Sequence, residues 1–431
     1  CLAATSPAFA AGKVSLQVGH AEFAGLQIED LGLHWAPGTG TGGRVGMRAA
    51  RIRGIGSTGP LSAISIECAA LSISGDLLNC ENGRLSGALG SLGGQNTKFS
   101  ARTQPGGGLK LHLDAVALAG GRARMDLRLD HAGWELDSSL AEIDIAAMQK
   151  IAAPLIEFPE GFTAAGRASG RVLATGRGDE LHSANAELAI ATLNFADAAG
   201  ALAGEAVAGE LRIKLVADRA GDFATDGKIT LTGGQAYSDP VFLDFGAHRM
   251  SVDFSGTLSA DASHFAAREF SLAHDGVASV SGSATLDLFG ETMLQEAKLA
   301  ISDLDLATAV PAYVQPYLIG TSLKDLEGLG HVHGEVDVAA GLPTRAVLTF
   351  DGVTLDSQTG SLAVSGLGGT LNWFDDSLRS ELAGQIDDDS FRSTMAWTSA
   401  SLWGIEIGAV ELPFTTTGRN FRLLEPKLLP V

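Results

Sequence analysis

The segment Asp305 to Val338, DLATAVPAYVQPYLIGTSLKDLEGLGHVHGEVDV, has a near copy upstream in Asp144 to Leu173, DIAAMQKIAAPLIEFPEGFTAAGRASGRVL, and this duplication constrains the fold more than any other feature of the chain. Each copy begins with an acidic and an apolar residue and runs through a short apolar segment containing Pro154 or Pro316. Each then reaches a Gly-x-x-x-Gly that opens an alternating strand, Gly166 to Gly170 in one and Gly330 to Gly334 in the other. Beyond it Leu193, Gly200, Leu202, Gly209 and Leu211 recur as Val353, Gly360, Leu362, Gly369 and Leu371, always 160 positions on. Five matches at one offset are hard to attribute to composition, so the chain reads as an array of β-rich modules, each entered through a short helix. The modules are expected at 12–143, 144–303 and 304–431. A repeat array can absorb any number of such units into one body, so length is a weak guide to domain number.

Between the copies the sequence has period two. Val14, Leu16 and Val18 alternate, as do Leu109, Leu111 and Leu113, then Leu127 and Leu129. After the first linker the pattern returns in Leu188 with Ile190, Leu211 with Ile213, Ile229 with Leu231, and Val241 with Leu243 and Phe245. It continues in Val252 with Phe254, Leu286 with Leu288, and the residues around Val347, Val353, Leu362 and Leu371. Alternation puts one face of each strand in an apolar environment and the other in water. Turn signals such as Pro105-Gly106-Gly107-Gly108 separate the strands at the spacing of all-β chains, which fits 55 Gly and a 45% hydrophobic share. Helical spacing appears only at the linkers, near 145–156 (Ile145, Met148, Ile151, Ala152, Leu155) and near 306–327, where Tyr313 and Tyr317 at i and i+4 are expected to pack on the sheet.

The formal charge of −20, with no run of Lys or Arg to offset it, repels phosphate backbones and excludes nucleic acid as a natural partner. No segment approaches 18 uninterrupted apolar residues, and three Tyr and five Trp are too few for the girdles of a transmembrane barrel. Residues 1–11 read as the remnant of a secretory signal ending at Ala8-Phe9-Ala10, with an ordinary disordered terminus as the alternative. In an oxidising compartment, Cys68 and Cys80 would flank a hairpin and pair as a disulfide; a reduced, buried pair is the other reading. The uncapped apolar end, FRLLEPKLLPV, reads as a cut from a longer protein.

Catalytic and metal-binding signals are weak. His331-x-His333 places two imidazoles on one strand face without a third ligand at a recognised spacing, and a solvent-facing pair is the favoured reading. Asp387-Asp388-Asp389 lacks the Gly and distal Glu of a calcium loop and reads as a solvated turn. G-x-S-x-G, H-E-x-x-H and G-x-x-x-x-G-K-[ST] are absent, so no enzyme activity, metal or cofactor is expected.

The aliphatic face must be covered by something. A second sheet would make it a filled core; left open it is an apolar trough that can hold lipid tails, each methylene gaining about 0.8 kcal/mol. Here the sequence resembles a known group. VPAYVQPYLIGTSLKDLEGLGHVHGEVDV, FDGVTLDSQTGSLAVSGLGGTLNW and GRNFRLLEPKLLPV are similar to the YdbH-like proteins, known under an old "dicarboxylate transport" label, within the AsmA-like group that includes TamB. The likeness is strongest from about Leu304 onward. It implies a periplasmic, elongated, highly twisted antiparallel β-sheet folded lengthwise into a groove, bridging inner and outer membranes, with phospholipid as cargo and a small outer-membrane lipoprotein as partner. Members usually keep an N-terminal membrane anchor, so inner-membrane attachment and a cleaved signal are both open here. The implied functional element is the groove lining, expected at Leu111, Leu113, Leu127, Leu129, Ile190, Leu211, Ile213, Ile229, Leu231, Leu243, Phe245, Val252, Phe254, Leu286, Leu288, Leu362, Val364 and Leu371. The alternatives are a structural or adhesive β-solenoid with a closed core, and a dicarboxylate-binding protein. The last would need a compact basic pocket, whereas Arg122, Arg124, Arg128, Arg212 and Lys214 alternate with apolar residues and should face outward.

Overall fold

A computed structural model of the chain describes residues 12–23, 26–38, 42–53, 60–75, 77–153, 160–178, 180–290, 292–378 and 391–425. Period-two sequence folds as antiparallel strand, and among the described residues 26 strands make one sheet that is not closed into a barrel. The chain gathers into two compact units, Cys1–Glu157 with Ala165–Leu188, and Phe158–Ala164 with Ala189–Val431.

Unit 1 contains β1 (Val14–Phe23), β2 (Leu26–Pro37), β3 (Gly42–Arg53), β4 (Leu61–Ser74) and β5 (Leu77–Leu89). It continues with β6 (Gly94–Thr103), β7 (Leu109–Leu118), β8 (Gly121–Asp130), β9 (Gly133–Asp144), helix α1 (Ile145–Ala152) and most of β10 (Thr163–Arg177). Each strand pairs with its successor. Cys68 on β4 and Cys80 on β5 are joined as a disulfide. α1 is capped by Asp144, whose Oδ1 accepts from the Ala147 amide at 2.8 Å. Its Met148 and Ile151 pack over Val116, Leu118, Ala123 and Ile143. The predicted helix at 145–156 thus runs to Ala152, and its last positions, Leu155 included, lie outside the described residues, as do residues 1–11.

β11 (Glu180–Ala196) leads into unit 2 with β12 (Leu202–Ala217), β13 (Phe223–Ser238), β14 (Val241–Asp244), β15 (Met250–Leu258) and β16 (His264–His274). β17 (Ala278–Asp287) and β18 (Leu294–Asp305) precede the second linker. Then come β19 (Leu326–Ala339), β20 (Leu342–Ser357), β21 (Leu362–Phe374), β22 (Arg392–Trp397), β23 (Ser399–Leu402), β24 (Ile405–Ile407), β25 (Val410–Thr417) and β26 (Asn420–Leu423).

The second linker is shorter than the predicted 306–327. α2 (Leu306–Ala309), capped by Asp305, passes through a wide turn at Val310–Val314 into α3 (Gln315–Leu318), and Gly320 at φ +86° ends it. The wide turn also corrects the tyrosine expectation. A π-type turn adds a residue to the helical repeat and rotates the residues after it, so i and i+4 no longer share a face. Tyr313 packs on Val277 and Ala278, while Tyr317 is 64% exposed. Leu306 and Val310 bury against Leu326, Val332, Val353 and Leu367 in an apolar cluster of unit 2.

The repeated glycines mark bulges. A Cβ at Gly209, Gly256, Gly282, Gly334 or Gly369 would come closer than 3.0 Å to a carbonyl oxygen of the adjoining strand, namely that of Thr230, Ala266, Lys298, Val347 or Thr394. Register shifts sit beside them, between Ser255 and Gly256, between Ala267 and Phe270 opposite Gly282, between Ile301 and Leu304 past Gly334, and between Phe350 and Val353 past Gly369. A bulge bends its strand and sharpens the local twist. Bulges recurring from strand to strand therefore draw a crease across the sheet of unit 2.

Candidate functional site: an apolar sheet face and its cavity

Residues directly opposite in an antiparallel ladder share a face. Following the pairings through unit 2, Leu211 meets Ile229, Ile229 meets Val252, Val252 meets Leu272 and Leu272 meets Val280. The row continues through Ile301, Gly334 and Leu348 to Leu371. A second row on the same face runs Ile213, Gly227, Phe254, Phe270, Gly282, Leu299, Val336, Ala346 and Trp373. The opposite face is charged: Lys228 reaches Asp253 at 2.8 Å, and Arg345 reaches Glu335 at 3.1 Å and Asp337 at 3.3 Å.

At the β11–β14 end this face is hollow. A cavity of about 240 Å³ with an apolar wall is lined by Ile190, Leu193, Phe195, Val207, Leu211, Ile229, Leu231, Ala236 and Phe245. Five expected lining residues, Ile190, Leu211, Ile229, Leu231 and Phe245, meet there. Leu243 stands opposite Ala236 of its wall. The volume falls below the roughly 300–1,000 Å³ of small-molecule pockets, so the cavity suits a stretch of hydrocarbon rather than a whole ligand.

Leu193 and Phe195 escaped the alternation rule for an identifiable reason, whereas Val207 continues the alternation of Leu211 and Ile213. Thr192 adopts φ of +53°, and this local irregularity switches the parity of the strand. Ile190 at an even position and Leu193 at an odd one then face the same side. The signal was present as the change of spacing from Leu188 and Ile190 to Leu193 and Phe195.

The remaining expected residues fall into four groups. Ile213, Val252, Phe254 and Leu371 lie in the two rows, and Leu286 shares their face between Phe265 and Leu294. Leu288 lies beyond the end of β17 and is a correction to the expected strand. The Asp287 carboxylate accepts from the Phe289 amide at 3.3 Å and turns the chain away. Leu362 and Val364 pack onto the Val353 cluster under α2, where the face is filled. In unit 1, Leu111 opposes Leu127, Leu113 opposes Met125 and Leu129 opposes Leu109; Leu113 is covered by the cluster beneath α1, whereas Leu129 is 37% exposed.

His274 closes one edge of the unit 2 face. It is 3% exposed, stands opposite Met250, and its Nδ1 lies 2.8 Å from the Tyr313 hydroxyl, while its Nε2 has no partner among the described residues. Burial holds its pKa below the ordinary histidine value and pushes that of Tyr313 up. His331, by contrast, is exposed and pairs with Asp303 at 2.8 Å. Among the described residues no three His, Cys, Asp or Glu side chains come together as a metal site, and Asp387-Asp388-Asp389 lies outside them. No helix of the described residues is long and apolar enough to cross a membrane, and the disulfide fits an oxidising, extracytoplasmic compartment. Comparison with protein families, curated proteins and solved structures returned no match.

Proposed function

We propose that the chain is a periplasmic segment of a lipid-transport bridge in a Gram-negative envelope, holding phospholipid acyl chains against its apolar sheet face between the inner and outer membranes. The observation that carries this reading is the pair of cross-strand aliphatic rows ending in an apolar cavity on a sheet that does not close. Such a surface binds hydrocarbon through area alone and needs no placed polar group, about 0.8 kcal/mol for each methylene withdrawn from water. The disulfide agrees with an oxidising, extracytoplasmic compartment, and the resemblance to YdbH-like proteins implies the periplasm, a small outer-membrane lipoprotein as partner, and binding rather than catalysis. A closed-core structural or adhesive protein is the second reading, favoured by the filled cluster around the fully buried Val353.

Native mass spectrometry of gently purified protein separates the two. Phospholipid should co-purify, and Ala236→Leu, which fills the cavity from its wall, should lower occupancy without lowering thermal stability. Wild-type protein free of lipid would leave the closed-core reading standing.

A further inference from the structure

The outward, polar face of unit 1 carries a feature that acyl-chain binding does not use. Arg102 on β6 stands directly opposite Lys110 on β7, and Lys110 directly opposite Arg128 on β8. Like charges at such positions destabilise a sheet. The chain offsets the comparable pair in unit 2, where Arg212 opposes Lys228, by giving each its own carboxylate, Glu210 at 3.6 Å and Asp253 at 2.8 Å. In unit 1 only Arg128 is answered, by Glu135 at 3.4 Å. Arg102 and Lys110 have no ion-pair partner among the described residues.

These cations line a cleft of about 580 Å³. The cleft also carries four carboxylates, of which Glu135, Asp126 and Asp137 each face a basic side chain and Glu81 has only a neutral amide. Asp126 is 2.7 Å from His112 Nδ1, Asp137 takes a two-pronged pair from Arg171, and Glu81 accepts from Asn79 at 3.1 Å. Asn79 is also the ladder neighbour of Arg102, placing an amide beside the unpaired guanidinium. In the adjoining cleft Arg84 stands opposite Lys98 on one side and Glu67 on the other. The setting is local. By sequence unit 1 holds 16 Lys and Arg against 17 Asp and Glu, whereas unit 2 holds 14 against 33, so nearly the whole net charge of −20 belongs to unit 2.

We propose that the Arg102–Lys110 pair is a binding site for a phosphate oxyanion. The guanidinium can take two oxygens in parallel and the ammonium a third, and the bound anion removes the repulsion that the empty site sustains. A free phosphate and the phosphate of a lipid headgroup present the same chemistry. The site lies in a different unit from the apolar cavity and shares no residue with it, so it stands or falls independently of acyl-chain binding.

The test is calorimetric titration of the full chain at low salt with inorganic phosphate, and separately with dihexanoyl phosphatidylglycerol below its micelle concentration. Saturable binding is expected with a dissociation constant of about 1 mM or tighter, weakened about tenfold or more in Arg102→Gln/Lys110→Gln. Binding of phosphate identifies a free anion as sufficient; binding of the lipid alone assigns the headgroup. Arg212→Gln, on unit 2, should change neither titration. Without ligand the double variant should unfold at the same temperature as the wild type or higher, because it relieves like-charge contact. Equal affinity in wild type and double variant, no saturation with either probe, or a loss of ligand-free stability in the double variant would each overturn the proposal.

Discussion

Replacing Gly334 with alanine tests whether the crease in unit 2 is a main-chain device. Gly334 sits at φ +154°, and an added methyl would lie about 1 Å inside the 3.0 Å limit for Cβ contact with the Val347 carbonyl oxygen. The substitution carries two costs. A side chain in this backbone region costs about 1–3 kcal/mol. Clearing the carbonyl means parting β19 from β20 locally, with loss of about two ladder hydrogen bonds worth roughly 1 kcal/mol each. The total is about 3–5 kcal/mol. Gly352→Ala is the control, because Gly352 also has positive φ, +62°, but nothing within 4 Å of an added Cβ. It should cost only the left-handed strain of about 1–2 kcal/mol. Urea unfolding read by hydrogen exchange on the strands from Leu326 to Phe374 measures both in the unit concerned. A Gly334→Ala cost no larger than that of Gly352→Ala would refute the argument that close strand approach fixes these glycines.

Two further outcomes are expected. Reducing the disulfide, or replacing Cys68 and Cys80 with serine, should cost about 3 kcal/mol for a loop of this length, and faster hydrogen exchange should be confined to unit 1. The neutral imidazole of His274 should make unit 2 less stable as pH falls through the ordinary histidine value of 6.5, because the unfolded chain then takes up a proton that the buried ring resists. His248, Asp275, Tyr313 and Met250 surround that ring; His112, raised by Asp126, acts with the opposite sign on unit 1. The wild-type pH slope minus that of His274→Gln isolates the contribution; identical slopes would show that the ring is not held neutral.

Period-two sequence was enough to place the strands, because one-sided burial requires alternation, whereas the repeated glycines, read as strand openings and turns, prove to mark bulges. Asp144 and Asp305, noticed as the acidic starts of the two copies, prove to be the helix caps, and Gly200 and Gly360 are turn residues with φ of +70° and +73°. Misses arose where backbone irregularity decides the outcome. Nothing in the side chain of Thr192 announces a positive φ, so the parity switch that brings Leu193 and Phe195 into the cavity shows only as a change of spacing, which strict alternation does not follow. The turn at Val310–Val314 likewise separated two tyrosines that spacing had placed together. Leu362 and Val364 alternate as perfectly as Leu231, yet they contact a filled cluster, because periodicity records which face is apolar and not what lies against it.

Within each unit nearly every strand is hydrogen-bonded to the next strand in the chain; β13 with β15, β21 with β23 and β22 with β25 are the exceptions. Such a sheet has neighbours in space that are neighbours in time. Each hairpin can close as soon as its two strands exist, and each new strand finds an edge already formed, so loop-closure entropy stays small at every step. Stability becomes approximately a chain of nearest-neighbour terms, and injury to one strand is felt mainly by the two beside it. The growing edge offers unpaired backbone throughout, so the open sheet is most exposed to unwanted pairing while it is still being extended.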